Sequence, residues 1–433
     1  MRDDAEFLRS LFDAAVAAAD PRRCLPAALE RALSAPPPGR TVVLGAGKAS
    51  GSMARVVEDF WNQRYPDRSL EGLVVTRYEH AVRCARIEVV EAAHPIPDDA
   101  GRMAAGRMLK IADSLGPDDL AICLMSGGGS ALLSFPAKGI TLEDKQSITT
   151  DLLKSGATIH EMNCVRKHLS SIKGGRLAST IEPARLIGFV ISDVPGDELD
   201  VISSGPTVPD PTTYADARAV LEKYTVTPPT SITLHLRDTQ DETPKPGDSA
   251  FANATTTVVA TPQMALKAAA EVARKAGVIP VILGDAIEGE AREVARVHAG
   301  IASQVARHGQ PANPPCVLLS GGETTVTVTG SGRGGRNAEF LVAFAMALQE
   351  RSMDCLERIS AIACDTDGID GTEDNAGAIY LTDTLARADT AGLSARAHLE
   401  NNDGYGYFKA LGNLVINGPT LTNVNDFRAI LVT

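Results

Sequence analysis

Apolar runs of strand length alternate with helical patterns along most of this chain. Residues 4–34 have an Ala-rich helical pattern, which is interrupted at Asp20-Pro21. Beyond residue 40, β-rich runs predict strands at Thr41–Gly45, Gly72–Thr76, Arg86–Glu91, Leu120–Met125 and Leu186–Ser192. Because strands that alternate with helices pair in parallel, this half of the chain predicts a doubly wound parallel sheet.

A polar stretch from Pro228 to Ser249 ends this first series. A second series predicts strands at Thr257–Ala260, Ile279–Leu283, Cys316–Leu319, Thr324–Thr329, Ser360–Ala363, Leu414–Ile416 and Ala429–Val432, and helices at Met264–Lys275, Glu288–Arg307 and Ala338–Gln349. At 433 residues the chain is also too long for one ordinary core. We therefore predict an α/β protein of two α/β domains, residues 1–233 and 250–433, with the active site in the cleft between them.

The net charge of the chain limits the classes of molecule that it is expected to bind. The 42 Lys and Arg residues stand against 54 Asp and Glu residues, which gives a formal net charge of −12. Such a protein repels nucleic acid and anionic membranes, so we expect neither as a partner. An anionic substrate would need a local cluster of cations. The acidic N-terminus does not resemble a signal peptide and no apolar run is long enough to span a membrane, so we expect a soluble, cytoplasmic protein.

The seven cysteines are scattered and contain no CxxC pair. Cys123, Cys316 and Cys364 lie in apolar runs, which predicts small buried hydrophobic side chains. This usage is typical of a reducing compartment and indicates neither a disulfide framework nor a zinc site.

The first chemical motif is Gly45-Ala46-Gly47-Lys48, which lies directly after the first predicted strand. Its start resembles a dinucleotide fingerprint, but Ser50 stands where the third glycine should be, and no acidic residue ends the second strand. A lysine among glycines before a helix indicates a phosphate or carboxylate site, because the helix N-terminus also attracts anions. An ordinary surface lysine in a βα loop is the alternative.

Two further glycine-rich turns follow predicted strands. Ser126-Gly127-Gly128-Gly129-Ser130 lets backbone N–H groups converge on an anion, and three adjacent glycines exceed what a tight turn needs. Ser320-Gly321-Gly322-Glu323-Thr324 repeats this arrangement in the second half. Both turns follow a strand, and ligands bind at the carboxyl ends of strands in open α/β sheets.

The segment from Asn163 to Arg176 contains the densest set of cations in the chain. Val165, Leu169 and Ile172 predict the apolar stripe of a helix that ends at Gly174. Arg166 and Lys173 would share a face of that helix. A basic last turn that complements the helix dipole would explain Lys173 but not Arg166, so we interpret the segment as an anion-attracting wall.

Carboxylates and arginines complete the set of candidates. Asp193 ends an apolar strand, where it could hold Mg²⁺ or accept a proton from a hydroxyl. Asp367, in Asp365-Thr366-Asp367-Gly368, could hold Mg²⁺ or bond to the backbone. Arg333 and Arg336 lie in a glycine-rich loop before a helix, and arginine grips carboxylate or phosphate bidentately. His94 is more consistent with a rigid loop than with catalysis.

Together these motifs resemble the class II glycerate 2-kinases, some of which are labelled hydroxypyruvate reductases. The resemblance runs from about Val42 to Asp426 and includes GAGKAS, SGGGSALL, NCVRKHLSSIKGG, ISDVPGD, SGGETTV, GRGGRNAEF and DTDGIDG. It implies a Rossmann-like N-terminal domain, a smaller C-terminal α/β domain of the MOFRL type, and ATP with Mg²⁺ as cofactors. It also implies that Lys48 and Arg336 match the family's catalytic lysine and arginine. Asn417, before Gly418-Pro419-Thr420, departs from the threonine expected there.

The resulting hypothesis is a kinase that transfers the γ-phosphate of ATP to the 2-hydroxyl of D-glycerate. Lys48, Arg336 and Asp193 are its predicted catalytic residues, and a homodimer is compatible with it. The predicted cofactor-binding residues are Gly45, Gly47, Ser126, Gly127, Gly128, Gly129, Ser130, Lys173, Gly321, Gly322 and Glu323, and the predicted metal ligands are Asp193 and Asp367. An NAD(P)H-dependent hydroxypyruvate reductase and a non-catalytic anion sensor are the alternatives.

Overall fold

The chain divides into two units, and the division does not follow the order of the sequence. A computed structural model describes residues 3–237, 241–351 and 357–433. One unit, here called the parallel unit, is Pro21–Val259. The other, the mixed unit, combines the residues up to Asp20 with Ala260–Thr433. Asp238–Gln240 of the predicted interdomain stretch, and Cys355, lie outside the described residues.

The first helix, α1 (Asp4–Ala19), explains this division. Its apolar positions recur every three or four residues and are buried: Phe7, Leu8, Leu11, Phe12, Ala15 and Ala19. The side chain of Asp3 caps its N-terminus by accepting from the backbone N–H groups of Ala5 and Glu6. The Phe12 ring lies 6.0 Å from that of Phe427, between ring centroids, so α1 packs on the last strand of the mixed unit.

The apolar runs of the parallel unit form six strands, and their order places the candidate loops. The strands are β1 (Thr41–Ala46), β2 (Glu71–Arg77), β3 (Ile87–Ala92), β4 (Leu120–Met125), β5 (Arg185–Ile191) and β6 (Ala254–Ala260). They lie in the order β3-β2-β1-β4-β5-β6, and the pairings from β3 through β5 are parallel. β1 and β4 are buried along their whole length, as expected of central strands with helices on both faces.

Helices cover this sheet and extend beyond it. They are α2 (Pro21–Cys24), α3 (Pro26–Ala32), α4 (Ser50–Arg64), α5 (Asp99–Asp113), α6 (Gly129–Leu132), α7 (Leu142–Ser155), α8 (Ile159–His168), α9 (Arg176–Ile181), α10 (Tyr214–Lys223) and α11 (Thr230–His235). α8 ends at His168, so the helix predicted to continue to Gly174 is shorter than expected. Val165, Leu169 and Ile172 are nevertheless all buried, because the chain keeps its apolar side inward after the helix ends.

The mixed unit is built on a second sheet. Its strands are β7 (Ile279–Gly284), β8 (Gly289–Glu290), β9 (Cys316–Gly322), β10 (Thr324–Thr325), β11 (Ile359–Asp365), β12 (Gly377–Tyr380), β13 (Leu414–Val415) and β14 (Asp426–Val432). Six of them form a sheet in the order β13-β12-β11-β14-β9-β7, in which, among the described residues, only the pairing of β7 with β9 is parallel. Its helices are α12 (Pro262–Lys275), α13 (Ala291–His308), α14 (Arg336–Gln349), α15 (Thr384–Thr390), α16 (Ala395–Glu400) and α17 (Gly404–Ala410).

The structure confirms the predicted fold class, a pair of α/β units with a parallel sheet in the first. The predicted strand at Thr324–Thr329 is only two residues long, because the chain turns away after pairing with β8. Cys123, Cys316 and Cys364 are buried, as expected. The unit boundaries differ from 1–233 and 250–433 in two respects: α1 belongs to the mixed unit, and most of β6 belongs to the parallel unit. The predicted placement of the active site between the domains stays a prediction.

Truncating Phe12 tests the assignment of α1. We expect Phe12→Ala to lower the free energy of unfolding by about 3–5 kcal/mol, because it leaves a cavity against Phe427. Urea unfolding followed by circular dichroism measures this. The exposed Glu6 on the same helix is the control, and Glu6→Ala should change stability by less than about 0.5 kcal/mol. Equal effects of the two substitutions would contradict the packing of α1 described here.

Candidate active site

The order of the parallel sheet brings two of the predicted glycine loops side by side. β1 and β4 are neighbours, and Ala46 at the end of β1 pairs with Met125 at the end of β4. The chain continues from β1 to β2 on one side, whereas β4 continues to β5 on the other. At such a switch point the loops diverge and leave a crevice at the carboxyl edge of the sheet, where ligands bind in open α/β folds.

The two loops are bonded to each other at this edge. The backbone N–H of Lys48 donates to the carbonyl of Gly127 at 2.8 Å, and the N–H of Ala49 donates to Ser126 Oγ at 3.0 Å. Gly47 has a φ of +135°, and a Cβ at this position would lie 2.1 Å from Ser126 Oγ. Only glycine therefore permits this approach. Lys48 lies just before α4, whose first residue is Ser50.

A segment with a strained backbone, Ser203-Ser204, contacts the Ser126–Ser130 loop. Ser203 and Ser204 have φ values of +53° and +60°, a left-handed conformation that is uncommon for residues with side chains. Ser203 Oγ donates to the carbonyl of Ser126 at 3.0 Å, and Ser204 Oγ lies 2.7 Å from Ser130 Oγ. Strain of this kind persists where the surrounding structure requires it, and it is concentrated at functional sites.

Beside the second loop is a cavity of about 320 Å³. Three cations line it, and each comes from a different segment: Lys145 from α7, Arg166 from α8, and Lys173 from the turn before α9. Gly128 and Ser130 form part of its wall. The structure therefore brings the predicted Arg166 and Lys173 together, although they do not share a helix.

Both lysines are buried, and Arg166 is partly buried. Lys145 and Lys173 are 7% and 1% exposed. Lys173 Nζ donates to the carbonyl of Ser130 at 2.6 Å and to its hydroxyl at 3.2 Å, whereas Lys145 Nζ has no hydrogen-bond partner among the described residues. Within residues 3–237, 241–351 and 357–433, neither these lysines nor Arg166 forms an ion pair. A cationic cavity of this kind is suited to an anion.

The electrostatics of the cavity agree with this interpretation. Burial, together with the neighbouring charge of Arg166, lowers the pKa of Lys145 to about 7. Burial also lowers the pKa of Lys173 well below its usual value, and the charges of Lys145 and Arg166 lower it further. Burial lowers the pKa of Arg166. An anion in the cavity would reverse these shifts by stabilising the protonated forms.

Sequence reasoning missed Lys145. It lies in LEDKQSITTDLLKS, an ordinary amphipathic helix, and other lysines of such helices face solvent, as the exposed Lys154 does. The available signal was weak: Lys145 stands three residues before Ile148 and seven before Leu152, and both of these are buried. That spacing places Lys145 on the inner face of the helix.

Asp193, the predicted acid at the end of β5, lies at the same edge of the sheet. It is the second residue beyond Ile191, and β5 is the neighbour of β4. The carboxyl ends of β1, β4 and β5 thus lead into Lys48, Ser126 and Asp193 respectively. The structure places these three candidates on consecutive strands of one sheet.

In the mixed unit, Arg336 is surrounded by carboxylates. As the first residue of α14, it donates to Asp426 at 2.7 Å, to Asp365 at 2.8 Å and to Glu323 at 2.8 Å. Burial alone lowers the pKa of Arg336, but these carboxylates outweigh burial and hold the pKa well above its usual value. The guanidinium is therefore already neutralised, in contrast to the cations of the cavity. Arg333 is likewise paired, with Glu373.

Two further acidic residues of the mixed unit, Asp367 and Asp370, accept hydrogen bonds from the backbone. Asp367 accepts from the N–H of Ile369 at 2.9 Å, and Asp370 accepts from the N–H groups of Asn337 and Ala338 at 3.0 and 2.9 Å. Burial raises the pKa of Asp370 to about 6, against the effect of those two bonds. The described residues contain no group of three or more His, Cys, Asp or Glu side chains placed to hold a metal ion. The assignment of Asp193 and Asp367 as metal ligands stays a prediction.

The third glycine loop packs tightly within the mixed unit. Gly322 ends β9 with a φ of +117°, and a Cβ there would lie 2.2 Å from the backbone nitrogen of Ile287. Gly321 pairs with Phe427, and Glu323 bonds to Arg336. This loop therefore positions Glu323 against the arginine, and its predicted contact with a cofactor stays a prediction.

Two family models match separate parts of the chain. A family described as a domain of unknown function (DUF4147) matches residues 7–237, and the MOFRL family matches residues 316–426. A glycerate 2-kinase of Pyrococcus horikoshii is 39% identical over 91% of this chain and 88% of its own length. The crystal structure of a glycerate kinase from Thermotoga maritima matches with a TM-score of 0.86 at 36% identity, covering 99% of both chains.

The chain belongs to the glycerate 2-kinase family. The family predicted from the motifs is thus confirmed. A protein of Agrobacterium vitis named "Putative hydroxypyruvate reductase" is 52% identical over 99% of the chain and 94% of its own length, so both family names occur among its relatives. Among the described residues of this glycerate 2-kinase family member, no helix is long and apolar enough to cross a membrane.

The buried charge of Lys145 predicts a gain in stability when it is removed. Because folding lowers the pKa of this lysine to about 7, its charge opposes folding. The opposition is complete below about pH 7 and fades as the pH rises towards the unfolded value. We expect Lys145→Met to raise the free energy of unfolding of the ligand-free protein by about 1–3 kcal/mol near pH 6. The gain should shrink between pH 7 and 10.

Urea titrations at several pH values, without phosphate or nucleotide, measure this difference. The matched control is Lys154→Met on the same helix, which should change stability by less than about 0.5 kcal/mol because Lys154 is exposed. A less stable Lys145→Met protein at pH 6 would show that the lysine contributes favourably to the ligand-free fold, contrary to the burial described above.

Proposed function

We propose that this chain is an ATP-dependent glycerate 2-kinase, which transfers the γ-phosphate of ATP to the 2-hydroxyl of D-glycerate and yields 2-phospho-D-glycerate. The observation that carries the proposal is the contact between the Gly47-Lys48 loop and the Ser126–Ser130 loop at the switch point of the parallel sheet. Membership of the glycerate 2-kinase family supports it. Scattered free cysteines support a cytoplasmic location. ATP and D-glycerate are the proposed small-molecule partners.

The residues present fit a nucleotide phosphate. Gly128 has a φ of +78°, and a Cβ on Gly129 would lie 2.1 Å from Ser203 Oγ, so both positions need glycine. The same loop offers the backbone N–H groups of Gly127 and Gly128 and the hydroxyl of Ser130 near Lys48, a donor set that suits phosphate oxygens. Gly47 allows the first loop to approach it, and Gly45 allows β1 to lie close to Leu124 of β4.

Transfer requires a new bond from the 2-hydroxyl oxygen to phosphorus, loss of the bond to ADP, and removal of the hydroxyl proton. Asp193 is proposed to orient the hydroxyl and accept its proton. Lys48 is proposed to stabilise the negative charge on the transferring group. Mg²⁺, held by Asp193 with Asp367 as a further candidate, would neutralise phosphate charge when bound.

Arg336 is proposed to hold the substrate carboxylate or the transferring group. Its present carboxylate partners determine which of its hydrogen bonds a ligand could replace. Asp426 is fully buried and Asp365 is 7% exposed, whereas the side chain of Glu323 is 51% exposed. Glu323 is therefore the partner that an incoming anion could displace at the lowest cost. The two buried carboxylates would keep the guanidinium in position during that exchange.

The role of Lys48 gives the first test. We expect Lys48→Met to lower kcat for ATP and D-glycerate by about 10²–10³-fold, because a cation aimed at developing charge is lost. Phosphorus NMR with Mg-ATP and D-glycerate would follow 2-phosphoglycerate and ADP. The control is Lys110→Met, an exposed lysine on α5 that should leave turnover unchanged. Unchanged kcat in Lys48→Met at saturating ATP would remove Lys48 from the mechanism.

Asp193 gives an independent test. We expect Asp193→Asn to lower kcat by about 10²–10⁴-fold, since an amide neither accepts the hydroxyl proton nor binds Mg²⁺ strongly. Glu198→Gln is the control in the same loop, because the Glu198 side chain is 54% exposed and pairs only with His160 among the described residues. If the two variants had equal activities, Asp193 would have no catalytic role and would only contribute to the structure of the loop.

The name of the 52% identical relative makes a hydroxypyruvate reductase the competing function. The structure offers it little support, because β2 ends at Thr76 and Arg77 where a dinucleotide site needs a carboxylate for the ribose. Ser50, in the place of the third glycine, is buried and its hydroxyl donates to the carbonyl of Val75 at 2.8 Å. NADH oxidation with hydroxypyruvate, without ATP consumption in the NMR assay, would replace the kinase by the reductase.

A further inference from the structure

The cationic cavity beside the second glycine loop has a composition that identifies the class of its ligand. Its charged lining consists of Lys145, Arg166 and Lys173, and the lining contains no carboxylate among the described residues. One carboxylate could neutralise only one of the three cations. A chain of phosphates carries several negative charges in a row and could neutralise all of them.

The second observation is the unpartnered ammonium group. Lys145 is 93% buried, lines the cavity, and its Nζ forms no hydrogen bond with the described residues. An ammonium group that has lost its water and has no partner is costly. Lys173 differs, because its ammonium group donates hydrogen bonds to the carbonyl and the hydroxyl of Ser130. Lys145 is thus the group whose donors remain for a ligand.

The third observation is the shape and surroundings of the cavity. At about 320 Å³ it holds the volume of roughly ten water molecules, which is more than a three-carbon acid needs. Part of its wall is apolar and comes from Ile96, Pro97 and Leu153. A three-carbon hydroxy acid offers almost no apolar surface to such a wall, whereas a nucleotide does.

The cavity also continues from the proposed phosphate loop. Gly128 lines it, and a Cβ on Gly128 would lie 3.4 Å from Lys48 Cγ. Ser130 is shared, since its carbonyl and hydroxyl bond to Lys173. A phosphate chain that binds at the loop can therefore extend into the cavity and remain within reach of hydrogen-bond donors along its whole length.

We propose that Lys145, Arg166 and Lys173 form a polyphosphate subsite that receives the phosphate chain of the nucleotide, with Lys145 as a direct ligand. This inference rests on the proposed kinase function, to which it adds two unassigned residues and a location for the nucleotide. It assigns the cavity to the phosphate donor and not to the carboxylate of D-glycerate.

Binding of inorganic tripolyphosphate to the full chain tests the subsite without requiring turnover. Isothermal titration calorimetry should show binding to the wild-type protein, and competition between tripolyphosphate and ATP. Lys145→Met and Arg166→Met should each weaken both ligands at least tenfold. Lys154→Met should bind like the wild type. Lys145→Arg, which keeps the charge, should recover part of the loss.

Steady-state kinetics separate the two substrates. We expect Lys145→Met to raise the KM for ATP at least tenfold and to leave the KM for D-glycerate within twofold. If the KM for D-glycerate rises instead, and ATP and tripolyphosphate bind normally, the cavity holds the substrate carboxylate and the inference is wrong. Wild-type protein that phosphorylates D-glycerate but does not bind tripolyphosphate would also overturn it.

Failure of the proposed function gives a different result. In that case the wild-type protein would not phosphorylate D-glycerate, yet tripolyphosphate would bind and Lys145→Met would weaken it. The subsite would then stand as a polyphosphate site of an enzyme with another acceptor. Because Lys145→Met is expected to be more stable than the wild type, lost binding in this variant would not reflect unfolding.

Discussion

The register between β1 and β4 is the constraint on which the candidate site depends. Both strands are central and parallel, and Ala46 pairs with Met125, so their loops begin at the same level of the sheet. A shift of one residue would move every side chain of the strand to the opposite face of the sheet, and it would also separate Lys48 from Gly127. The absence of a Cβ at Gly47 then allows the contact of the two loops to close. The buried Val and Leu side chains of β1 and β4 fix that register, so the packing of the core and the geometry of the site have the same cause.

Two groups of buried cations are arranged in opposite ways, although the chain as a whole is acidic. In the mixed unit, arginines are neutralised: Arg336 bonds to three carboxylates, and the buried Arg428 bonds to Asp426. In the parallel unit, Lys145 and Lys173 are buried without an acid. In the first arrangement each buried arginine has a counter-charge, which offsets the cost of removing it from water. The second costs stability and is consistent with a site that a ligand completes.

Much of the fold follows from local sequence, and so do the parts of the site that lie in glycine motifs. The central strands were predictable because buried parallel strands are continuous apolar runs. The loops at Gly47 and Ser126 were predictable because closely spaced glycines are typical of turns that bind anions. The four-residue strand β12 and the position of α1 were not, since they depend on partners that are distant in the sequence. Lys145 was missed for the same reason: the cavity that it lines is completed by Arg166 and Lys173 on other segments. Conversely, Arg333 and Arg336 indicated an anion site by motif, and the structure pairs both with carboxylates.

The membership of α1 in the mixed unit has a consequence for the synthesis of the chain. The Phe12 side chain packs on Phe427, and the hydroxyl of Thr422 donates to the carbonyl of Ala19 at 2.7 Å. The helix α1 therefore leaves the ribosome before the parallel unit, whereas these partners leave it after that unit. Domains of most chains fold in the order in which they emerge. Here the parallel unit, from Pro21 to Val259, can complete its sheet before the partners of α1 in the mixed unit have been synthesised. Until the part of the mixed unit that follows Val259 is released, the apolar face of α1 has no partner to pack on, and chaperones would have to cover it.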